Sequence, residues 1–596
     1  MNKQKRYLIT NADERTWKFD RPVVFLGEWC RLYDRKHVWE SMDAIVADPF
    51  GVQSDRKEYD INYVHTLSNK LLAEIVDVLN AFHETNHSSG FWNVLLGHWL
   101  QRYVAVCFNR YHTIELALKN YKLTGVTALN MAGYNLATQD SSSFIWASND
   151  DIWNGVLYAK IFQRISRGKV EVSLTFDDKE ACFNQKQFGK GKLRSIVTRL
   201  INFVGSNVLP LLSKPNDAFI INSYLPKWEE IKLQIALWQF PQLWQSRQLT
   251  LVPVDMNKRL KLTLPKDGQA GFEQFVRDLL PELIPICYVE GYDQLNQQVA
   301  LLPWPSNPRF IFTSNNFDTD EVFKLWVAQK IEKRTPYFVG QHGNNYGTLL
   351  GYQNWVELVS ADKFFTWGWR HGDSKNIPAF IFKMVGSKRN IDSDGGLLLT
   401  ELHSPHGIAL NDAYHDFCIY QEQQFNFVEA LPDNIKKELT VRLHGAWPLM
   451  RWSDDKRWSD RAPDVLLEKG LRPIRTLIKT SRLVIHSYDS TGILETLALN
   501  IPTMCFWSGG FDHLVPSAKP YYALLRDVGI FFDTPEKAAE AVVRYWDDID
   551  SWWLSESVQN VRQKFCEEYA RIERRPVRTL RNLLIKSMFE VNRKFL

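Results

Sequence analysis

Cysteine is scarce and unpatterned in this sequence. The seven residues (Cys30, Cys107, Cys182, Cys287, Cys418, Cys505 and Cys566) are scattered, odd in number and without a CxxC pair or zinc-ligand spacing. That argues against a disulfide scaffold or zinc module and fits a reducing compartment. No apolar run approaches the ~20 residues a membrane helix needs. The opening MNKQKRYLITNADERTW has no signal-peptide apolar region. A cytoplasmic protein is expected. Charge of one sign is also lacking. A net charge of +4 on 596 residues speaks against strong nonspecific nucleic-acid binding, so no nucleic-acid partner is expected. GxSxG, the protein-kinase set and GxGxxG are all missing. The QFGKGK run at 187–192 lacks the GxxxxGK[ST] frame of a P-loop. Internal repeats and low-complexity tracts are absent.

What is present is a long globular chain rich in tryptophan, with 22 residues of it. Large aromatic surfaces suit stacking on sugars or bases, and they also fill cores. The length is too great for one core and implies two or three domains. A strand run at 22–29, PVVFLGEW, reads as the first strand of an α/β domain, with Glu28 at its carboxyl end. Helical patterns follow at 65–82 and 91–118. His83, His87, His98 and His112 fall in or near them, without metal-ligand spacing, and read as structural. Residues 160–200 are basic and irregular and read as an insertion. Another strand is expected at 218–222. Three prolines in LLPWPSNP, at 301–308, mark a linker. Beyond it, strands at 309–313, 337–340, 363–366, 396–402, 440–443, 483–486, 503–506 and 529–532 alternate with helical patterns, which implies a parallel sheet. The expected organisation is a Rossmann-like domain at 1–300, a second Rossmann-like domain at 301–545 and a basic helical tail at 546–596. From residue 561 onward the chain has ten Arg or Lys against four Glu. Such an amphipathic basic helix can touch an anionic membrane surface or pack on its own protein.

Three strand-end stretches carry the candidate chemistry. The first is 483–507, LVIHSYDSTGILETLALNIPTMCFW: a buried strand, a polar turn, a helix and the next strand. Its helix opens where backbone N–H groups and the helix dipole favour an anion. Ser490 and Thr491 would meet a phosphate there and Glu495 a sugar hydroxyl. The second is GQHGNNYG at 340–347. Gly343 lets the backbone approach a ligand, and His342 can exchange protons near neutral pH. Asn344, Asn345 and Tyr346 offer hydrogen bonds to sugar hydroxyls. The third is VRLHG at 441–445, where Arg442 can fork onto phosphate oxygens beside His444. Asp392-Ser393-Asp394 and Asp548-Ile549-Asp550 match a bare DxD, but neither follows a convincing strand. No metal site and no cofactor are expected.

These stretches, with GEWC at 27–30, FTSNNFDTDEVFKLW at 312–326 and FFTWGW at 364–369, resemble a bacterial family of transferases found in O-antigen and other surface-polysaccharide gene clusters. The two-domain pattern is similar to the GT-B class of glycosyltransferases. RLHG and HSYDST…E also resemble capsule-type Kdo transferases and teichoic-acid glycerophosphotransferases, though Gly445 stands where those motifs often carry Pro. The resemblance implies a metal-independent glycosyltransferase that takes a nucleotide-sugar donor, such as a CMP-linked nonulosonic or Kdo-type acid, to a glycan or lipid-linked glycan acceptor. Arg442, Ser490 and Thr491 would hold the leaving phosphate and Glu495 the ribose. His444 would assist the phosphate as general acid, and His342 or Glu28 would deprotonate the acceptor. A CDP-polyol phosphotransferase and a non-catalytic sugar-nucleotide-binding partner are the alternatives.

Overall fold

The computed structural model describes residues 4–129, 131–165, 174, 181–183, 212–265 and 271–593. Among the described residues fifteen strands form three sheets, and every pairing between these strands is parallel. The α/β class expected from alternating strands and helices is therefore what is observed. Of the basic 160–200 stretch, Arg167, Lys169, Lys186, Lys190, Lys192 and Arg194 lie outside the described residues. Arg164 ends a helix and pairs with Asp278 at 3.0 Å.

The first sheet holds β1 (Lys5–Ile9), β2 (Val23–Phe25), β3 (Ala44–Val46) and β4 (Lys122–Val126), in the order β3-β2-β1-β4. The PVVFLGEW strand is thus second rather than first. Tyr7, Leu8 and Ile9 precede it as a fully buried run. Two long helices, Ser54–His83 and Ser89–Asn120, follow. The second is almost apolar all round, as expected of a helix enclosed by neighbours.

The second sheet holds β5 (Phe219–Ile221), β6 (Ile311–Thr313), β7 (Tyr337–Gly340), β8 (Lys363–Thr366) and β9 (Asn376–Pro378), in sequence order. Phe219 pairs with Ile311, so this sheet crosses the boundary expected at residue 300. The third sheet holds β10 (Gly396–Thr400), β11 (Leu439–Arg442), β12 (Leu466–Glu468), β13 (Ser481–His486), β14 (Thr503–Phe506) and β15 (Phe531–Phe532). Its order, β12-β11-β10-β13-β14-β15, is that of a doubly wound dinucleotide-type sheet. The stretch expected to hold one Rossmann-like domain therefore contributes to two sheets. The physical reason is that strands at 219–221 and 311–378 close one set of hydrogen bonds, while 396–532 closes another.

The basic tail is a brace. Each sheet and the helices packed on it form a unit, and the helix Glu556–Tyr569 packs on the third, with Phe565 edge-on to Tyr522 at 5.4 Å. The chain then crosses back: Arg571 N donates to Trp367 O, and Ile381 N donates to Arg571 O. The final helix, Pro576–Arg593, buries Leu580, Leu584 and Val591 in a cluster with Ile220, Leu233, Phe338 and Phe365 of the second unit. Of the two uses open to the apolar side of this tail, packing on the protein itself takes most of it. Phe589 and Ile572 stay exposed. No helix among the described residues is long and apolar enough to cross a membrane.

Candidate functional site

In the third sheet, β10 and β13 lie side by side while their onward connections run to opposite edges. Ligands of open α/β sheets bind outside the carboxyl ends of such a strand pair. A cavity of about 650 Å³ lies there, lined by His403, His406, Tyr420, Ser487, Asp489 and His513 among others. The loop after β13 is rigidly held. His486 is fully buried, with Nδ1 2.9 Å from Thr400 Oγ1 and Nε2 3.3 Å from Thr496 Oγ1. Ser490 caps the helix Thr491–Ala498 by accepting from Ile493 N. Thr491 Oγ1 accepts from Asn344 N at 3.0 Å. Both hydroxyl oxygens thus already accept a backbone N–H.

Asn344 brings in the second sheet. GQHGNNYG leaves β7 and RLHG and SYDST leave β11 and β13, so the three loops converge from two sheets rather than one. Besides the Thr491 contact, the Asn344 amide donates to Asp489 Oδ1 at 2.7 Å. Asn344 therefore serves the seam. Gly343 sits against the same hydroxyl: a Cβ there would lie 3.2 Å from Thr491 Oγ1. Asn345 takes φ +75°, the left-handed conformation that asparagine tolerates. Tyr346, expected to face sugar hydroxyls, is 3% exposed. Its hydroxyl donates to Glu357 Oε1 at 2.6 Å and lies 3.2 Å from His342 Nδ1. His342 itself is half-buried between Phe317, Tyr224 and Tyr346. Burial holds its pKa below the usual imidazole value, against the opposing pull of Glu357 and Asp318.

The third strand end carries a cation whose Nε lacks a hydrogen bond. Arg442 Nε is buried without a hydrogen-bond partner. The nearest carboxylate, Glu468, is 3.8 Å away and already accepts the N–H groups of Gly470, Leu471 and Arg472. An orphaned buried donor on a charged group is costly and marks a place for an acceptor. Next to it, the His444 ring is edge-on to His403 at 4.4 Å, and His403 stacks on His406 at 4.9 Å. Burial lowers the pKa of His403 and brings those of His406 and His444 to about 4. His444 is therefore neutral near pH 7 and suits hydrogen bonding better than the general-acid role expected of it. Hydrogen bonding assigns the tautomers. His444 Nδ1 accepts from Ala446 N, and His406 Nδ1 accepts from the Asn149 amide, whose oxygen in turn accepts Gly407 N. Both then carry Nε2–H. His403 Nδ1 donates to Ser404 O, leaving its Nε2 bare.

Glu495 is paired with Lys383 of the second unit. It lines a cavity of about 450 Å³ bordered by Lys388, Arg389, Arg475 and Lys479. Tyr488 feels both Arg442 and Glu495 electrostatically and hydrogen-bonds Ser490, which places the four residues around one loop. Glu28 stands elsewhere. It forms an ion pair with Arg31 at 2.6 Å and lies near Cys418 and Arg457, in the seam between the first and third units. The two candidates for the base thus belong to different seams. The DxD matches have local roles: Asp392 accepts from Asp394 N just before β10, and Asp548 caps the helix Ile549–Trp553.

Sequence reading missed His403, His406, Lys383, Glu357 and the partnership of His98 with Glu357. An HxxH spacing directly after the GLLLTEL run was a usable signal for the first two. The others act across long sequence separations that leave no local pattern.

The chain is thus an α/β protein whose doubly wound third sheet carries Arg442 and a histidine cluster at its strand ends. The chain belongs to the LIC12162 family of transferases, whose family model matches residues 6–584. Comparison with curated proteins finds no match. Among solved structures, the chain is similar to the glycosyltransferase SnogD of Streptomyces nogalater (14% identity, 62% of this chain and 99% of that one, TM-score 0.32). It is also similar to the MurG of Acinetobacter baumannii (10% identity, 62% and 100%, TM-score 0.31) and to the wall teichoic acid polymerase TagF (10%, 66% and 97%, TM-score 0.33). At these scores none of them locates a functional residue.

Proposed function

We propose that the protein is a glycosyltransferase that moves a sugar from a nucleotide-sugar donor to a surface-polysaccharide acceptor, with the reaction centre in the seam between the second and third sheets. The observation that carries this reading is the buried, unpartnered Nε of Arg442 at the strand ends of a doubly wound sheet. It supplies a fixed positive charge where a leaving phosphate develops negative charge. The N–H donors of His444 and the opening of the Thr491–Ala498 helix add to it. Glu495 then lies within reach of a ribose, after release from or in company with Lys383. His342, on the opposite wall, takes the proton of the acceptor hydroxyl. It replaces the pair of candidates named from sequence, because Glu28 is engaged by Arg31 in the other seam. A CMP-linked nonulosonic or Kdo-type acid is the donor favoured by the resemblance of RLHG and HSYDST. The two neutral imidazole donors suit a sugar that carries a carboxylate. The acceptor is a glycan or lipid-linked glycan. The exposed Phe589 on the basic tail helix supports peripheral contact with the membrane that would present it.

The test is a thermal-shift panel of CMP, CDP, UDP, GDP and dTDP on the wild type and on Arg442→Ala. Binding stabilises the folded state by mass action, so one nucleotide should raise the wild-type Tm and do so far less in the variant. Equal shifts in both proteins, or none in either, would remove the reading. Product mass then separates sugar transfer from polyol-phosphate transfer, since only the latter adds phosphate.

A further inference from the structure

A chain of three side chains, Tyr346, Glu357 and His98, runs behind His342 and crosses two units. Tyr346 OH lies 3.2 Å from His342 Nδ1 and donates to Glu357 Oε1 at 2.6 Å. His98, on the Ser89–Asn120 helix of the first unit, meets Glu357 Oε2 through Nε2 at 3.1 Å. Glu357 is 7% exposed and Tyr346 3%. Burial pushes the Glu357 carboxyl up, but the His98 and Tyr346 hydrogen bonds outweigh it and hold it below its usual value. A carboxylate only accepts, so the single proton of Tyr346 is committed to Glu357. What remains for His342 Nδ1 is the lone pair on the Tyr346 oxygen, and Nδ1 must donate to it. The partner of one ring nitrogen decides the state of the other.

We propose that Tyr346 and Glu357 are positioning residues that hold His342 in the Nδ1–H tautomer, so that Nε2 presents a bare lone pair as the base of the reaction. This rests on the glycosyl-transfer reading for the identity of the substrate, but the tautomer itself does not. In the transfer step the acceptor O–H proton goes to His342 Nε2. The acceptor oxygen forms its bond to the anomeric carbon of the donor. The bond from that carbon to the phosphate oxygen breaks, and its electron pair leaves with the nucleotide. The imidazolium keeps its Nδ1–H on Tyr346, and the Tyr346 proton stays with Glu357. The other charged groups that face His342 are Asp318, Lys383 and His98. His98 is therefore the far anchor of the relay: it fixes the Glu357 carboxylate from a different unit.

The experiment is side-chain nitrogen NMR of the full chain labelled with ¹⁵N-histidine, with His342 assigned by loss of its signals in His342→Gln. In the wild type, Nε2 should show the shift of an unprotonated ring nitrogen and Nδ1 that of a protonated one. In Tyr346→Phe, which keeps the ring and its packing, the preference should be lost. In Glu357→Gln the amide can accept from or donate to Tyr346, so both tautomers should appear. A wild-type His342 protonated at Nε2, or a tautomer unchanged in Tyr346→Phe, would overturn the proposal, and the wild-type spectrum decides even where a variant does not fold. If the tautomer is as stated and His342→Gln still transfers sugar at the wild-type rate, the positioning stands and the base role falls.

Discussion

The Asn344 side-chain amide donates to Asp489 at 2.7 Å, joining the loop after β7 in the second sheet to the loop after β13 in the third. Asp489 also accepts from His513 Nε2 at 3.0 Å and Tyr522 OH at 3.0 Å. One carboxylate thus gathers donors from both walls of the seam, within reach of the Ser490–Thr491 turn. The geometry of the candidate site depends on this junction as much as on the residues that would touch a ligand.

Removing the carboxylate should cost more than removing one donor. Asp489→Ala leaves three donors without their shared acceptor and should lower stability by about 3–5 kcal/mol. Asn344→Ala should lower it by about 1–3 kcal/mol. Denaturant unfolding followed by tryptophan fluorescence measures both. Equal costs would show that the seam is held by other contacts.

Arg442 is half-buried, and its Nε has no hydrogen bond to lose, only the long ion pair with Glu468 at 3.8 Å. Arg442→Ala should therefore change Tm little while reducing turnover by roughly 10²–10³-fold, the effect of deleting one donor to a developing negative charge. Steady-state kinetics with the nucleotide sugar found in the panel would show this. A large drop in Tm with normal turnover would make Arg442 a packing residue.

Glu495 and Lys383 pair across the seam, so the carboxylate is held in place without a ligand. If it meets the ribose, Glu495→Gln should raise KM for the donor by about tenfold, equivalent to ~1.4 kcal/mol, and leave kcat close to the wild-type value. An unchanged KM would leave Glu495 with only its structural pair.

His486 makes a pH prediction with a definite sign. Burial lowers its pKa to about 3 in the folded chain, against about 6.5 when unfolded. The unfolded state binds the extra proton, so the stability this neutral imidazole permits is present above pH 6.5. It is lost as pH falls from 6.5 toward 3. His406 and His444 add the same sign down to about 4. Asp412 and Asp454, raised by burial to about 6, act in the opposite sense between about 4 and 6. His486→Gln should flatten the acid-side loss by up to ~1.4 kcal/mol per pH unit. Parallel wild-type and variant curves from pH 7 to 4 would contradict this.

Much of the second and third units was legible because their signals are local. The strands at 503–506 and 337–340 and the start of the helix at Thr491 follow from apolar runs, N-cap residues and a Pro after the helix. The four short strands Ala44–Val46, Lys122–Val126, Asn376–Pro378 and Leu466–Glu468 were not legible. Three or five residues of mixed character carry no period, and each is a strand only because a neighbour supplies its hydrogen bonds. Tyr346 was misread for a related reason: the same phenol suits a sugar or a buried carboxylate, and Glu357 decides between them.

By itself the sequence determined the α/β class, the strand–turn–helix units and the residue types at their carboxyl ends, since each depends on neighbours a few positions away. The tertiary structure decided that three sheets share the chain, that the tail packs across two of them, and that His342 and Glu28 stand in different seams. It also joined His98 to Glu357, Asn344 to Asp489 and Lys383 to Glu495. Those pairs span more than 100 residues each. Only the closing of the sheets brings them within hydrogen-bonding reach, because a contact between distant segments leaves no periodicity in either one.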